Sequence, residues 1–182
     1  MIDARHYRAT DRLRDGRPVW LRAIRPSDRD ALREGLHHLS PESAYYRFFR
    51  PKTDLTESEL DYFTKLDFVN HVALVAIVED AGQRVAVGTA RYIVEHPETS
   101  RDSAEIAFVV DDAHQGLGIG AVLLRHLARI ARESALPSLH ASVLGSNRSM
   151  LSVFAKSGLP LKTRFADGVV EVTLSLAEAG GA

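Results

Sequence analysis

Two rhythms of apolar residues organise the chain. In the first, Gln115-Gly116-Leu117-Gly118-Ile119-Gly120 leads into a stretch where Leu123, Leu124, Leu127 and Ile130 recur at helical spacing. Arg125, Arg129 and Arg132 fall mostly on the other side, which predicts an amphipathic helix running to Glu133. In the second, short apolar runs rich in β-branched residues predict strands. One of these, Ala104 to Val110, feeds directly into the glycine turn through Asp111-Asp112. Strand, glycine turn and helix follow without a break.

The remaining segments fall around that unit. Residues 1–16 are polar and close on the turn signal Asp15-Gly16, and no element is predicted there. Pro18 to Ile24 reads as a first strand, with Trp20 as a core or edge anchor. Pro26-Ser27-Asp28 opens a helix capped by Ser27 or Asp28, with Ala31, Leu32 and Leu36 on its apolar face. Ser40-Pro41-Glu42-Ser43 opens another, which carries Tyr45, Tyr46, Phe48 and Phe49 and stops before Pro51. Aromatics at this density belong either to the core or to the wall of a cleft. Thr56 and Glu59 have capping-box spacing ahead of Leu60, Phe63 and Leu66.

His71 to Val78 and Arg84 to Val94 form a predicted hairpin across Asp80-Ala81-Gly82-Gln83. Gly88 within it signals a bulge or a close backbone approach. After the loop helix, Leu139 to Leu144 is a strand, and Asn147 leads into a helix bearing Met150, Leu151 and Phe154. Gly158 sits where a helix-terminating glycine belongs. Leu161 to Phe165 and Val169 to Leu176 flank the hairpin turn Asp167-Gly168, and residues 179–182 are expected to fray. The order β-α-α-α-β-β-β-α-β-α-β-β describes one α/β (α+β) domain over residues 1–182, with its core at about 18–176 and seven strands in a mixed sheet.

Composition narrows the chemistry. The chain has 182 residues and no cysteine, so disulfides, thiolate metal sites and cysteine nucleophiles are excluded. No apolar run reaches membrane-spanning length and no apolar leader is recognised, which leads to the expectation of a cytoplasmic protein without a membrane partner. A net charge of −1 argues against a nucleic-acid partner. Residues 1–50 nevertheless hold eleven arginines against seven acids, a basic front that suits an anionic ligand or simply a solvated surface. The eight histidines form no metal motif, and no metal is expected. Among them, His71 at the start of a buried strand reads as a satisfied structural residue, and His114 as a surface one.

A glycine turn opening a helix offers unpaired N–H groups and a positive dipole end to an anion. A P-loop would need Lys-Ser or Lys-Thr after the last glycine, but Ala121-Val122 follows. A dinucleotide fold would need G-x-G-x-x-G and an acid after the next strand, and both are missing. The third ligand is coenzyme A. Gln115-Gly116-Leu117-Gly118-Ile119-Gly120 resembles the Q/R-x-x-G-x-G/A signature of the GCN5-related N-acetyltransferases (GNAT). Asn147-Arg148-Ser149-Met150-Leu151-Ser152-Val153-Phe154-Ala155-Lys156-Ser157-Gly158-Leu159 is similar to that family's second segment, with Asn147, Phe154, Lys156 and Gly158 in register. Arg14-Asp15-Gly16-Arg17-Pro18, Ile24-Arg25-Pro26-Ser27-Asp28 and Leu39-Ser40-Pro41-Glu42-Ser43 through Arg47-Phe48-Phe49 resemble, more closely, the acetyltransferase domain of bacterial protein-lysine acetyltransferases acting on acyl-CoA synthetases.

The resemblance implies a mostly antiparallel seven-stranded sheet, flanked by helices and splayed after the fourth strand, with acetyl-CoA bound in the gap. It implies main-chain contacts from Phe108, Val109 and Val110, a diphosphate held at Gln115, Gly116, Leu117, Gly118, Ile119 and Gly120, and pantetheine contacts from Asn147 and Phe154. Glu105 is implied as the base that deprotonates the attacking amine, because a protonated amine cannot attack a thioester. Asp111 and Asp112 read as turn and cap residues, since an acid facing a diphosphate would repel it. Phe154 stands where many relatives carry a tyrosine, so its side chain donates no proton. Either water protonates the thiolate or it leaves unaided, with Ser149 and Tyr92 as substitute donors. The acceptor implied is a protein lysine, for example on an acyl-CoA synthetase. A small amine is the nearest alternative, and a non-catalytic acyl-CoA sensor comes from a different class.

Overall fold

A computed structural model describes residues 2–177, so the expectation of fraying at 179–182 lies outside the described residues. Among the described residues eight strands form one sheet: β1 (Arg8–Arg12), β2 (Pro18–Ala23), β3 (His71–Asp80), β4 (Gln83–Ile93), β5 (Ala104–Val110), β6 (Ser138–Leu144), β7 (Leu161–Ala166) and β8 (Val169–Ser175). Their spatial order is β1-β2-β3-β4-β5-β6-β8-β7. All neighbours are antiparallel except β5 and β6, which run parallel. Five α-helices among the described residues cover the sheet: α1 (Arg29–His38), α2 (Pro41–Phe48), α3 (Glu57–Thr64), α4 (Ile119–Glu133) and α5 (Arg148–Ala155).

The expected count of seven strands is corrected to eight by β1. Arg8-Ala9-Thr10-Asp11-Arg12 has no apolar alternation to read. Its register with β2 and its polar contacts to α4 hold it instead: Asp11 accepts from His126 at 3.0 Å and pairs with Arg125. Charged residues also suit an edge strand, where they discourage pairing with other chains.

Each face of the sheet has its own cover. On one face Ile119, Leu123, Leu124, Leu127 and Ile130 of α4 are buried against Leu74, Ala90, Tyr92, Ile106 and Phe108, with Phe154 of α5. Each of these large aliphatic side chains contributes roughly 1.5–3 kcal/mol by leaving water. Ile24, Leu66, Ala73 and Val75 pack with Leu32 on the opposite face, and Leu36, Ala44, Leu55 and Leu60 form a smaller cluster among α1 to α3.

Local signals explain most boundaries. Ser40 caps α2 by accepting from the Ser43 N–H at 3.1 Å, and Phe49 ends it in a left-handed turn at φ 55°. Thr56 and Glu59 make both bonds of a capping box on α3. The caps expected at Ser27 or Asp28 do not form on α1: Pro26–Asp28 is a 3-10 turn. Asp28 instead grips Arg22 through two 2.7 Å bonds and accepts the Arg25 N–H at 2.8 Å. A bidentate guanidinium is a stronger partner than the weak donors of a first turn.

Two features prepare the site. The register between β3 and β4 shifts near Ala76/Ile77, so that Ala76 faces Gly88 while Ile77 faces Ala86. A methyl group on Gly88 would lie 3.0 Å from the Val109 carbonyl oxygen and 3.2 Å from Ile119 Cγ2, so this glycine admits both β5 and the start of α4. The second feature is an opening in the sheet. β5 and β6 pair only at Ala104–Leu139 and Glu105–His140, and beyond those residues they part.

Candidate active site

The opening widens into a cleft of about 1020 Å³ between β5 and β6, floored by the glycine turn and α5 and overhung by α2. Its β5 wall offers main-chain donors. The Asp111 N–H bonds the Val87 carbonyl at 2.9 Å, towards β4. Alternation along an antiparallel pair sends the Val109 and Ala107 N–H groups the same way and those of Val110 and Phe108 into the opening. Because β6 has diverged, no strand satisfies them there. Side chains alternate too. Glu105, Ala107 and Val109 lie across from Ile93, Arg91 and Thr89 on the face covered by α1 to α3. Phe108 lies on the other face, edge-on to Phe154 with ring centres 5.8 Å apart.

The turn before α4 is rich in free donors. Gly116 and Gly118 have φ of 77° and 91°, a region that L side chains avoid. The Gln115 N–H is satisfied by the Asp112 carbonyl at 3.3 Å, so the free donors begin at Gly116. Among the described residues, the N–H groups of Gly116, Leu117 and Gly118 meet no protein acceptor. Those of Ile119 and Gly120 begin a helix and have no carbonyl one turn back. Gly120 faces α5, where a methyl group would meet Val153 at 3.4 Å, an ordinary packing distance.

Two anchors hold this turn. The Arg14 N–H donates to the Leu117 carbonyl at 3.0 Å and its guanidinium to the Gly116 carbonyl at 3.3 Å. Asp112 accepts from the Ser40 N–H, from Ser43 Oγ and, at 2.7 Å, from Gln115 Nε2. Burial raises its carboxyl pKa, but the donors from Ser43 and Ser40 outweigh that and hold it below the ordinary value. Asp112 therefore staples the N-terminus of α2 to the glycine turn. Asp111 pairs with His114 Nδ1 at 2.6 Å, so the two acids are turned to protein donors. His114, expected on the surface, is largely covered beside Asp111 and lines the cleft.

Asn147 caps α5 through its carbonyl oxygen, which accepts the Met150 N–H at 3.1 Å. Its amide nitrogen stays uncommitted on the cleft wall. Phe154 is 1 % exposed at the base of the cleft and carries no proton donor. Of the alternative donors, Ser149 lines the cleft, whereas Tyr92 is buried on the α4 face away from it. Strand parity explains this: Tyr92 pairs with Ile106, not with Glu105. His71 behaves as the structural residue expected. Its Nε2 lies 3.1 Å from Arg91, and its pKa is lowered to about 4 by burial, with Arg91 adding to the effect. Among the described residues no three acidic or histidine side chains converge as a metal site.

The structure also gathers residues that no single motif exposes. Glu105 shares its cleft with Arg47, Phe48 and Tyr46 of α2. The Glu105 carboxylate favours the charged form of Arg47, although burial pulls that guanidinium below its ordinary pKa. Arg14 and Arg148 flank the turn and α5. Of the aromatics at α2, Tyr46, Phe48 and the C-terminal Phe49 line the cleft, and Phe48 also packs against the cluster of Leu36, Ala44, Leu55 and Leu60.

With this geometry in place, the comparisons with known proteins are decisive. The model of the Acetyltransferase (GNAT) family matches residues 36–159. The chain belongs to the GNAT family of acetyltransferases. It is 33% identical over 149 residues to Acetyltransferase PA5475 of Pseudomonas aeruginosa, covering 82% of this chain and 77% of that protein. The crystal structure of the GNAT domain of S. lividans PAT superposes with a TM-score of 0.82 at 37% identity, over 92% of this chain and 96% of that one. The structure of yncA from Salmonella typhimurium with its cofactor acetyl-CoA matches at TM-score 0.67 and 19% identity, over 90% and 96%. The last likeness shows the fold alone. This GNAT protein is thus an N-acetyltransferase, and its likeness to the GNAT domain of a PAT agrees with the resemblance carried by its sequence.

Proposed function

We propose that this GNAT protein transfers the acetyl group of acetyl-CoA to a lysine amine of another protein. One observation carries the reading: the unpaired N–H groups on the opened edge of β5 and the free donors of residues 116–120 border one and the same cleft surface. That surface suits a ligand with a diphosphate at one end and amide and thioester groups at the other. The yncA structure, of the same fold, holds acetyl-CoA.

When bound, acetyl-CoA supplies a thioester carbon open to attack by an amine. The protein residues do the rest. The N–H groups of Gly116 to Gly120 hold the diphosphate, with Arg14 fixing the turn beneath them. Asn147 and the main chain of Phe108 to Val110 hold the pantetheine arm. The inward N–H of Val110 or Phe108 meets the carbonyl oxygen as it gains charge, an interaction worth roughly 3 kcal/mol per donor in other enzymes. Glu105 takes a proton from the incoming ammonium, because only the neutral amine has a lone pair to attack with. The second proton released as the amide forms passes to the thiolate through water, since Phe154 has none to give. A thiol of ordinary pKa, ~8.5, is a good enough leaving group for that route.

Acetyl-CoA is an intracellular metabolite, so we place the protein in the cytoplasm, with residues 1–182 as one acetyltransferase domain. No helix among the described residues is long and apolar enough to cross a membrane. The sequence resemblance to bacterial protein-lysine acetyltransferases favours a protein acceptor, such as an acyl-CoA synthetase, over a free amine. The test is a screen of lysine-bearing proteins and amines with labelled acetyl-CoA, read by mass spectrometry and repeated with Glu105→Gln. Transfer to lysine that falls at least a hundredfold in the variant, with acetyl-CoA affinity retained, supports the reading. Unchanged turnover in Glu105→Gln removes Glu105 as the base.

A further inference from the structure

A second, smaller cavity of about 80 Å³ lies under α1, α2 and α3 and shares Leu39, Arg47, Phe48, Ala107 and Val109 with the cleft. Arg47 lines both spaces, and Arg91 lines the smaller one. Arg91 is 4 % exposed. Its guanidinium lies over the Phe63 ring at 4.4 Å and bonds the Phe63 carbonyl at 3.4 Å and His71 Nε2 at 3.1 Å. None of these partners carries a negative charge. Arg47 stacks its guanidinium 5.2 Å from the Phe48 ring and makes no hydrogen bond or ion pair among the described residues.

The acids around the smaller cavity are already engaged. Asp28 holds Arg22 through two bonds, and Asp111 holds His114. Glu105 is then the one carboxylate acting on Arg47, and it acts on Arg47 rather than on Arg91. Glu105 is neutralised when it takes a proton from the substrate, which leaves both guanidiniums without an unengaged carboxylate beside them. Such an arrangement is unfavourable until an anion arrives, because a charge taken out of water needs a partner. Burial, with the charge of Arg47 adding to it, lowers Arg91 to about 9, so the two cations oppose each other.

We propose that Arg47 and Arg91 form an anion subsite that takes a carboxylate carried by the acceptor, a short distance from its reacting amine. This rests on the acetyltransferase reading above and narrows its substrate class. On a protein acceptor the carboxylate is an Asp or Glu next to the target lysine. The same chemistry is presented by a free amino acid. The cavity is smaller than the roughly 150 Å³ that encloses a benzene ring, so it fits a carboxylate tip rather than a bulky group. It lies on the Glu105 face of the sheet, the side from which the amine must approach. An arginine there presents a fork that matches a carboxylate, and a lysine would not.

The experiment compares matched acceptors under acetyl-CoA. One pair is a lysyl peptide with a neighbouring glutamate against the same peptide with glutamine. The other is 4-aminobutyrate against 4-aminobutanamide. Binding of each is also measured by titration into protein saturated with CoA, which reads the subsite without turnover. The acid member of at least one pair binds about tenfold or more tightly and reacts with a correspondingly higher kcat/KM. Which pair shows it identifies the source. Arg47→Gln brings that ratio close to one, and Arg47→Lys restores it only partly. Equal binding of acid and amide in both pairs overturns the subsite even when acetyl transfer is brisk. A charge preference that appears instead with succinyl-CoA against acetyl-CoA places the anion on the donor and also overturns it. Selective binding of the acids without transfer to any amine keeps the subsite and refutes the transferase reading.

Discussion

Lowering the pH tests the buried histidine beneath the site. His71 Nε2 lies 3.1 Å from Arg91 Nη1, which can only donate, so Nε2 must accept and the ring must be neutral with its proton on Nδ1. Tyr62 stacks near it at 5.1 Å, and Asp67 accepts its main-chain N–H at 2.9 Å. Burial first, then Arg91, then Arg47 oppose a charge on this ring, and the Asp67 carboxylate only partly offsets them. The pKa is 6.5 in the unfolded chain and about 4 in the folded one. A depressed folded pKa means that the unfolded state binds the proton first. The contribution to stability is therefore whole above 6.5 and is lost as the pH falls from 6.5 towards 4. At about 1.36 kcal/mol per pH unit the full loss would approach ~3.4 kcal/mol, and at about pH 5 it reaches ~2 kcal/mol. Partial exposure of the ring reduces this to roughly 1–2 kcal/mol. Urea unfolding at about pH 7.5 and pH 5, on the native protein and on His71→Gln, isolates the effect, since glutamine can accept from Arg91 but does not titrate. The native protein should lose about 1–2 kcal/mol more than the variant. Equal losses would refute the account of a neutral histidine held under two arginines.

Three substitutions test the frame of the site. Gly88→Ala puts a methyl group 3.0 Å from the Val109 carbonyl, a main-chain atom that cannot swing aside, so it should cost about 1–3 kcal/mol in urea unfolding and weaken acetyl-CoA binding by calorimetry. Gly118→Ala places an L side chain at φ 91° and 3.2 Å from Arg14, with an expected cost of about 1–2 kcal/mol and a lower affinity for CoA; an unchanged affinity would show that the turn does not contact it. Asn147→Ala removes the cap on Met150 and should lower stability by about 1 kcal/mol, whatever it does to pantetheine contacts.

Much of the fold is visible in the sequence because its strongest signals are local. The α4 repeat, the two positive-φ glycines before it, the Thr56 capping box and the Asp167-Gly168 turn each depend on neighbours within about one turn of chain. β1 lacks such a signal, because its stability comes from pairing with β2 and from His126, more than a hundred residues away. Asp28 illustrates another limit: its type and place suit a helix cap, but folding brings Arg22 within 2.7 Å, and the stronger partner takes it. At the site, the glycine turn and Glu105 stand out by motif. The convergence of Arg47 with Arg91 does not, since it depends on how α2 lies over β5, the neighbour of β4. Arg14 sits within a motif, yet its hold on the Gly116 carbonyl is a contact between segments far apart in the chain.

The most direct measurement is a crystal structure of the protein grown with acetyl-CoA. The account predicts a diphosphate within hydrogen-bond distance of the N–H groups of Gly116 to Gly120, and a thioester carbonyl facing the inward N–H of Val110 or Phe108 where β5 and β6 part. Cofactor bound at any other surface, with that turn and that opening filled only by water, would contradict it.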